Sequence, residues 1–340
     1  MPDLSICMPS HRNLENSRRS IESAVAYCEA RDAMLIVSDN SGDAEKQVVL
    51  KDLSPRLVLI DSGEASAIEN MERALDAVRT TFVMPMGDDD EIRFDANLPA
   101  FDLASLGYDY IGVTPVSVPF TPRHGDMPAK GFGLESSDPG ERMAAYMAKA
   151  QGNNSVYYSI YRRDVFVSLT HAFTQHHPTK GGYCDWALSQ ALVSYGKMAH
   201  DPGTTFRYNM DKWDSAEKIG EMYQALYTGV GLPAGSEKFE NLLMYLDVFI
   251  LATRPGTPLP QDQRQALGLS INSRLLGPFI KKVAANPNSF DGTIRHLATM
   301  VIEERDSFGR FQIALMMADS VQPGLKDRYV DFLKAVMSPA

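Results

Sequence analysis

Short apolar runs alternate with helical patterns along the first 86 residues of the chain. Four runs have the length and apolar content of strands buried in a sheet. These runs are residues 4–8, 33–37, 57–60 and 81–86. Residues 13–30 and 64–79 place apolar side chains on one helical face. Strands that alternate with helices predict an α/β fold, in which a parallel sheet is flanked by helices.

The pattern changes from about Asp214, where strand signals end and helical periodicity dominates. The predicted helices are residues 215–229, 237–252, 261–285, 290–307, 310–318 and 325–337. We therefore predict an α/β domain over residues 1–212 and an all-helical C-terminal part over residues 213–340. The helical part could shape an acceptor site, form a homodimer, or dock on a membrane surface or a partner, and the sequence leaves these alternatives open.

Polar loops follow three of the predicted strands. The loop residues of interest are Pro9, Ser10, His11 and Arg12 after the first strand, Asp39 after the second, and Asp88, Asp89 and Asp90 after the fourth. Ligands of parallel α/β sheets bind at the carboxyl ends of the strands. We therefore expect the three loops to form one site.

The triplet Asp88, Asp89 and Asp90 points to a cation. Adjacent carboxylates repel one another and raise one another's pKa, so a positive partner is expected. A hard divalent cation such as Mn²⁺ or Mg²⁺ takes oxygen ligands and shares them between carboxylates and substrate phosphate. The alternative is an exposed acidic turn that caps the next segment.

The runs 4–13, 36–43 and 82–92 together resemble the strand ends of family 2 glycosyltransferases. The resemblance covers roughly residues 3–210 and implies the GT-A fold, a nucleotide-diphospho-sugar transferase-like domain with a mostly parallel sheet and a metal-binding Asp-x-Asp motif. A Gly-x-Gly-x-x-Gly motif and a Gly-Lys-Ser/Thr phosphate loop are both absent from the sequence, which makes a dinucleotide-binding or P-loop protein less favoured.

The resemblance implies roles for the first loops. Residues 9–12 would pass beside the nucleotide, and Asp39 would accept a hydrogen bond from the base, typically uracil, because a carboxylate is an acceptor. Asn70 and Arg73 match positions that approach the nucleotide in relatives. The alternatives are a turn-forming role for Asp39 and ordinary helix-surface positions for Asn70 and Arg73.

The register of the acidic motif is ambiguous, because many relatives read Asp-x-Asp-Asp and Gly87 stands here at the first acid. One alignment makes Asp89 the metal ligand, and a literal reading pairs Asp88 with Asp90. We assign Asp88 to the nucleotide and Asp89 and Asp90 to the metal, and leave open which carboxylate touches the ion.

Downstream, residues 152–163 are predicted to be a loop that enters a strand, and residues 176–184 a Gly-rich mobile loop. A helix is predicted to begin at Asp185. By resemblance Asp185 is the general base of an inverting enzyme, although relatives usually have Glu-Asp where this chain has Cys184-Asp185. The alternative is that Asp185 caps the helix, and the two roles are compatible.

Histidines and cysteines give no metal prediction. His176 and His177 lie in a Gly/Pro-containing loop and are expected to be solvated, and His200 is not assigned a role either. The three cysteines are scattered without paired spacing, which argues against a zinc site or a disulfide framework and favours a reducing compartment.

Composition is that of an ordinary enzyme of 340 residues. The net charge of −10 argues against binding to nucleic acid. We expect no transmembrane segment, because no apolar run approaches spanning length, and no signal peptide, because a strand begins almost at once. A cytoplasmic protein follows, with peripheral docking at the inner face of the membrane as an open alternative.

Together these features predict a metal-dependent, inverting glycosyltransferase. It would move a sugar from a nucleoside-diphosphate donor, expected to be a UDP-sugar, to a hydroxyl of a glycan, lipid-linked or protein acceptor, with cell-surface glycan synthesis as the expected setting. One alternative is a sugar nucleotidyltransferase, but residues 9–12 lack the Gly-rich phosphate loop usual in that class. The other alternative is a non-catalytic nucleotide-binding or scaffold protein.

Overall fold

The computed structural model describes residues 2–151 and 154–337, which group by contact into two compact units. The first unit comprises the chain up to Glu135 together with Lys149–Val167 and Lys197–Asp214. The second comprises Ser136–Ala148, Ser168–Gly196 and the chain from Ser215 onward. The last division falls near the predicted boundary at residue 212, while two internal segments group with the helical part. The predicted domain limits stay a prediction.

One mixed sheet forms the centre of the first unit. Its strands are β1 (Leu4–Ser10), β2 (Met34–Asp39), β3 (Leu57–Asp61), β4 (Phe82–Pro85), β5 (Glu91–Phe94), β6 (Tyr110–Thr121), β7 (Gly125–Asp126), β8 (Ile160–Arg162) and β9 (Lys197–Asn209). The strand order is β3-β2-β1-β4-β8-β6-β9-β5, with β7 paired to β6. Strands β1 to β4 are parallel, as is the pair β6–β9, and the pairs made by β5, β7 and β8 are antiparallel.

The four predicted strands are all present, and they form the parallel half of the sheet. Their inward side chains, including Ile6, Leu35 and Met84, pack with Ile21 and Cys28 in one buried core. Most paired residues of the whole sheet lie in the parallel pairs. The predicted fold class, an α/β GT-A-type sheet flanked by helices with a helical C-terminal part, is confirmed.

Helices α1 (Leu14–Arg31), α2 (Ala44–Lys51) and α3 (Ala67–Asp76) connect the parallel strands. Each begins where a side chain accepts hydrogen bonds from the free N–H groups of the first turn. Asn13 caps α1, Asp43 caps α2, and Ser66 caps α3 in a capping box with Glu69. The caps fix the points at which the chain leaves the sheet edge and returns to a helix.

The remaining helices lie wholly or largely in the second unit. They are α4 (Pro139–Ala150), α5 (Arg163–His176), α6 (Asp185–Tyr195), α7 (Ala216–Thr228), α8 (Glu240–Thr253), α9 (Gln261–Ile271), α10 (Gly277–Ala285), α11 (Gly292–Glu303), α12 (Ser307–Val321) and α13 (Leu325–Met337). The single helix predicted at 261–285 is α9 and α10 joined by the π-helical turn Asn272–Leu276.

Helix α8 is apolar around most of its circumference and is buried along most of its length, as expected of a central helix. Within the described part of the chain, no helix combines the length and the apolar character needed to cross a membrane.

Two residues of the predicted loop at 152–163, Gly152 and Asn153, lie outside the described residues. From Ser155 to Tyr158 the chain forms a 3-10 turn, and β8 follows as the predicted strand.

Candidate active site

The carboxylate of Asp88 joins the loops that follow β1 and β4. Asp88 Oδ2 accepts hydrogen bonds from Ser10 Oγ at 2.8 Å and from the backbone N–H groups of His11 and Arg12 at 2.9 Å each. The parallel register of β1 and β4 brings both loops out at the same edge of the sheet. The predicted meeting of these strand ends is therefore observed, and the buried Asp88 fixes the backbone of the first loop.

The guanidinium of Arg12 bridges two carboxylates of the acidic triplet. Its Nε lies 3.2 Å from Asp88 Oδ1, and its Nη2 lies 2.5 Å from Asp89 Oδ2. The Asp88 side chain is 4% exposed, whereas the side chains of Arg12 and Asp89 are 28% exposed each. A positive group thus already sits where the sequence predicted one, and of the two bridged carboxylates Asp89 is the one that solvent reaches.

Asp90 is buried, whereas Asp89 is partly exposed. Its oxygens accept hydrogen bonds from the backbone N–H groups of Asn209 at 2.9 Å and Gly87 at 3.3 Å. Burial, followed by the negative charge of Asp89, raises the pKa of Asp90 to about 8. Asp90 therefore anchors the acidic loop to the end of β9, and Asp89 is the best placed of the three to meet a cation.

A buried lysine joins the ends of β1 and β2. Lys46 Nζ donates to Asp39 Oδ1 at 2.8 Å, to Ser10 Oγ at 2.6 Å and to the carbonyl of Arg12 at 2.7 Å. The side chains of Lys46 and Asp39 are both fully buried. Because the register places Ser10 opposite Asp39, one ammonium group can hold both loops.

The remaining acceptor positions of Asp39 are also used inside the protein. Ser41 donates from its backbone N and its hydroxyl, and Gln47 Nε2 donates at 2.6 Å. A carboxylate has about four lone-pair sites, so a base would have to replace one of these donors. The role of Asp39 in base recognition stays a prediction.

Two residues of α3 also reach the strand-end loops. Asn70 is buried and its Nδ2 donates to Asn40 Oδ1 at 3.0 Å and to the carbonyl of Ser10 at 3.3 Å. Asn70 Oδ1 has no hydrogen-bond partner among the described residues. Arg73 Nη1 donates to the carbonyl of Ser62 at 2.9 Å. Asn70 thus lies beside the predicted loops, and Arg73 supports the loop after β3.

Of the predicted first-loop residues, His11 and Arg12 face solvent to different degrees. The His11 side chain is largely exposed, with Nδ1 3.8 Å from Asp88 Oδ2. Pro9 is half-buried and Ser10 is buried. The surface that a ligand could reach here is therefore made by His11, Arg12 and Asp89.

Asp185 belongs to the second unit and is the first residue of α6, as predicted. The cap position is occupied by Cys184, which makes no side-chain capping hydrogen bond, and Asp185 lies in the first turn. Its side chain reaches solvent. The protein around it still weakens its hydration, which raises the pKa of Asp185 to about 7. Such a group exchanges a proton near neutral pH, as a general base requires.

His177 is buried, contrary to the expected solvated loop. Its Nε2 lies 2.8 Å from Asp247 Oδ1, to which Tyr329 also donates at 2.8 Å. The histidine Nδ1 accepts from the backbone N–H groups of Thr179 and Lys180 at 3.2 and 3.0 Å. The expectation failed because local sequence shows a Gly/Pro-containing loop but not the buried acid from α8 that pairs with the ring.

His177, Cys184 and Asp247 are the group of possible metal ligands found among the described residues. The hydrogen bonds argue against an ion there. Because Nδ1 accepts from two N–H groups, the ring proton is on Nε2 and points at Asp247, so neither nitrogen offers a lone pair to a metal. This group is a hydrogen-bonded link between helices.

Lys46, Gln47 and Asp247 were missed by the sequence prediction. For Lys46 a weak signal exists, since it lies four residues before Leu50, and both are buried on one face of α2. Lysine is seldom fully buried without a partner, and the sequence does not show that partner.

Comparison with known proteins supports the predicted enzyme class. Residues 5–169 match the family described as glycosyl transferase family 2. No significant match is found among curated protein sequences. The crystal structure of S. aureus TarS 1-349 in complex with UDP is similar, with a TM-score of 0.44, 13% identity, and coverage of 99% of this chain and 90% of that chain.

A second structure, S. aureus TarS 1-349 in complex with UDP-GlcNAc, has a TM-score of 0.43 and 13% identity, and the similarity covers 94% of this chain and 92% of the other. These overall similarities are weak, and the ligands are those of TarS. The assignment rests on the family match together with the sheet order. Residues 5–169 thus match glycosyl transferase family 2, in agreement with the glycosyltransferase predicted from the sequence.

Proposed function

We propose that this protein transfers a sugar from a nucleoside-diphosphate donor to an acceptor hydroxyl, with inversion at the anomeric carbon and with a divalent cation. The observation that carries the proposal is the solvent-facing pair Arg12 and Asp89. The pair lies at the edge of a family 2 domain where the loops after β1, β2 and β4 are tied together.

The residues at this edge fit a hard cation. Asp89 offers carboxylate oxygen to solvent and already holds a guanidinium, which stands in for a positive ion. We assign the metal to Asp89 and give Asp88 and Asp90 the task of holding the two loops in place. When bound, Mn²⁺ or Mg²⁺ would offset the negative charge that develops on the leaving diphosphate.

Asp185 is proposed as the general base. Its carboxylate would take the proton of the acceptor hydroxyl while the acceptor oxygen bonds to the anomeric carbon and the bond from that carbon to the diphosphate breaks. Its exposure and its pKa of about 7 support this role. Proton transfer of this kind contributes about 10²–10⁴-fold to rate.

The finer assignments also belong to the proposal. Uracil is the expected base, residues 9–12 and Asn70 are expected to border the nucleotide, and the expected acceptor is a glycan, lipid-linked or protein hydroxyl. A role in cell-surface glycan synthesis at the cytoplasmic face of the membrane, and a homodimer through the helical part, are further expectations.

The test is sugar release from a panel of nucleoside-diphosphate sugars with Mn²⁺ or Mg²⁺, together with UDP binding by calorimetry. Asp185→Asn should lower transfer at least about 100-fold and leave UDP affinity unchanged, since the base does not bind the donor. Asp164→Asn, an exposed acid in the first turn of α5, is the matched control. Wild-type turnover in Asp185→Asn would remove the base from the proposal, and UDP binding without any transfer or donor hydrolysis would favour a scaffold.

A further inference from the structure

The backbone of Arg12 is held by hydrogen bonds, whereas its guanidinium can exchange one partner for another. Its N–H donates to Asp88 Oδ2, and its carbonyl accepts from the buried Lys46 Nζ at 2.7 Å. The guanidinium, in contrast, is part-exposed and contacts Asp88 and Asp89 through Nε and Nη2. The loop therefore holds the residue in position while the end of the side chain can leave without disturbing the backbone.

The carboxylates that Arg12 bridges are unequal partners. If the Arg12 guanidinium departs, Asp88 Oδ2 keeps three hydrogen bonds, from Ser10 Oγ and from the backbone N–H groups of His11 and Arg12. Asp89 is 28% exposed and is held by the guanidinium through Oδ2. Removal of the guanidinium thus leaves Asp88 Oδ2 fully bonded, takes the Nε donor from Asp88 Oδ1, and makes Asp89 available to another cation.

A guanidinium and a divalent ion at the same carboxylate repel each other at short range. The two bridged carboxylates, Asp88 and Asp89, cannot neutralise the three positive charges of a guanidinium and a divalent ion, so the metal must displace the guanidinium or bring its own anion. A diphosphate is such an anion, and arginine binds phosphate oxygens with its planar fork of N–H donors.

We propose that Arg12 is a built-in counterion, which occupies Asp89 in the free protein and moves to the diphosphate when a metal–nucleotide complex binds. Free divalent metal therefore binds weakly, and metal and diphosphate binding are coupled. The inference rests on the proposed donor site, and it adds a mechanism by which that site rejects metal that carries no donor.

The test is a titration of the nucleotide-free protein with Mn²⁺, followed by loss of the electron paramagnetic resonance signal of free Mn²⁺. Arg12→Met should bind Mn²⁺ about 5- to 100-fold more tightly than wild type, the range usual for coupled sites. Arg12→Lys, which keeps the charge but lacks the fork, should show a smaller gain in the same direction. Arg18→Met removes an exposed arginine of α1, the helix that follows the Arg12 loop, and should bind as wild type does.

The outcomes separate this inference from the proposed function. Equal Mn²⁺ affinity in wild type and in whichever Arg12 variant folds overturns the counterion role, even where UDP-dependent Mn²⁺ binding is present. Absence of Mn²⁺ binding in every protein, with and without UDP, overturns both proposals. A gain in Arg12→Met that is matched in Arg18→Met would mean that net charge alone explains the effect, and would also overturn the counterion role.

Discussion

Two buried polar clusters, one in each unit, hold their carboxylates in different ways. The strand-end cluster of the first unit, comprising Ser10, Arg12, Asp39, Lys46, Asp88 and Asp89, pairs carboxylates with cationic side chains. The helix cluster of the second unit, comprising His177, Cys184, Asp247 and Tyr329, surrounds one carboxyl with an imidazole and a phenol.

Exposure separates the two clusters further. The strand-end cluster ends in a bridge that solvent reaches, whereas the side chains of His177 and Asp247 are essentially inaccessible. A cluster with an ion pair at its edge can exchange one partner for a ligand, and a closed cluster can only hold its elements together. The difference predicts ligand binding at the strand-end cluster and a structural role for the helix cluster.

The largest expected loss of unfolding free energy is at the buried Lys46–Asp39 pair of the strand-end cluster. Lys46→Met leaves Asp39 buried without its cation, which typically costs about 3–5 kcal/mol of unfolding free energy. Urea denaturation of the whole chain measures it. Lys51→Met, at the exposed end of the same helix, should stay within about 0.5 kcal/mol of wild type. Equal stability of the two variants would show that the Lys46–Asp39 pair does not hold the loops.

A smaller loss is expected in the helix cluster. Tyr329→Phe removes the hydrogen bond to Asp247, whose Oδ2 already lacks a partner among the described residues, and should lower the unfolding free energy by about 1–3 kcal/mol. UDP affinity should not change. The exposed Tyr108→Phe serves as the control.

The wild-type protein should keep its melting temperature in EDTA, because the His177 ring offers no lone pair to a metal. A drop in melting temperature on chelation, restored by zinc, would contradict the hydrogen-bonded assignment of the helix cluster.

The third effect concerns pH. If Asp185 must be deprotonated to act, kcat falls as pH drops through about 7, by about tenfold for each further unit. Above that pH the rate levels off, since the base is already charged. A pH–rate profile of transfer under saturating donor and acceptor measures this, and a rate that is flat between pH 5 and 8 (about two units below to one above the pKa) would remove Asp185 from the proton-transfer step.

The parallel half of the sheet was predictable because its strands are continuous apolar runs. Strand β6 was not predicted, since it contains Pro115 and Pro119, and proline is unusual inside a sheet. The pairing with β9 shifts register next to Pro115. Strand β9 contains Asp201-Pro202-Gly203, which resembles a turn, yet the Asp201 side chain accepts from Gly203 and Thr204 and keeps the strand intact.

The site was predictable as a set of loops but not as a set of contacts. The strand-end position of the acids follows from sequence, and so does the start of α6 at Asp185. Sequence cannot show that Lys46 donates to Ser10, or that Arg12 donates to Asp89 while Asp90 is buried. These contacts depend on the strand register and on burial.

The most direct test of the account is calorimetric titration of UDP in the presence and absence of Mn²⁺ on wild type, Asp89→Asn and the exposed control Asp52→Asn. The account predicts that Mn²⁺ strengthens UDP binding to wild type and to Asp52→Asn, and that Asp89→Asn loses at least about tenfold of that affinity while remaining folded. Equal Mn²⁺-dependent affinity in all three proteins would contradict the assignment of the donor site to the strand-end cluster.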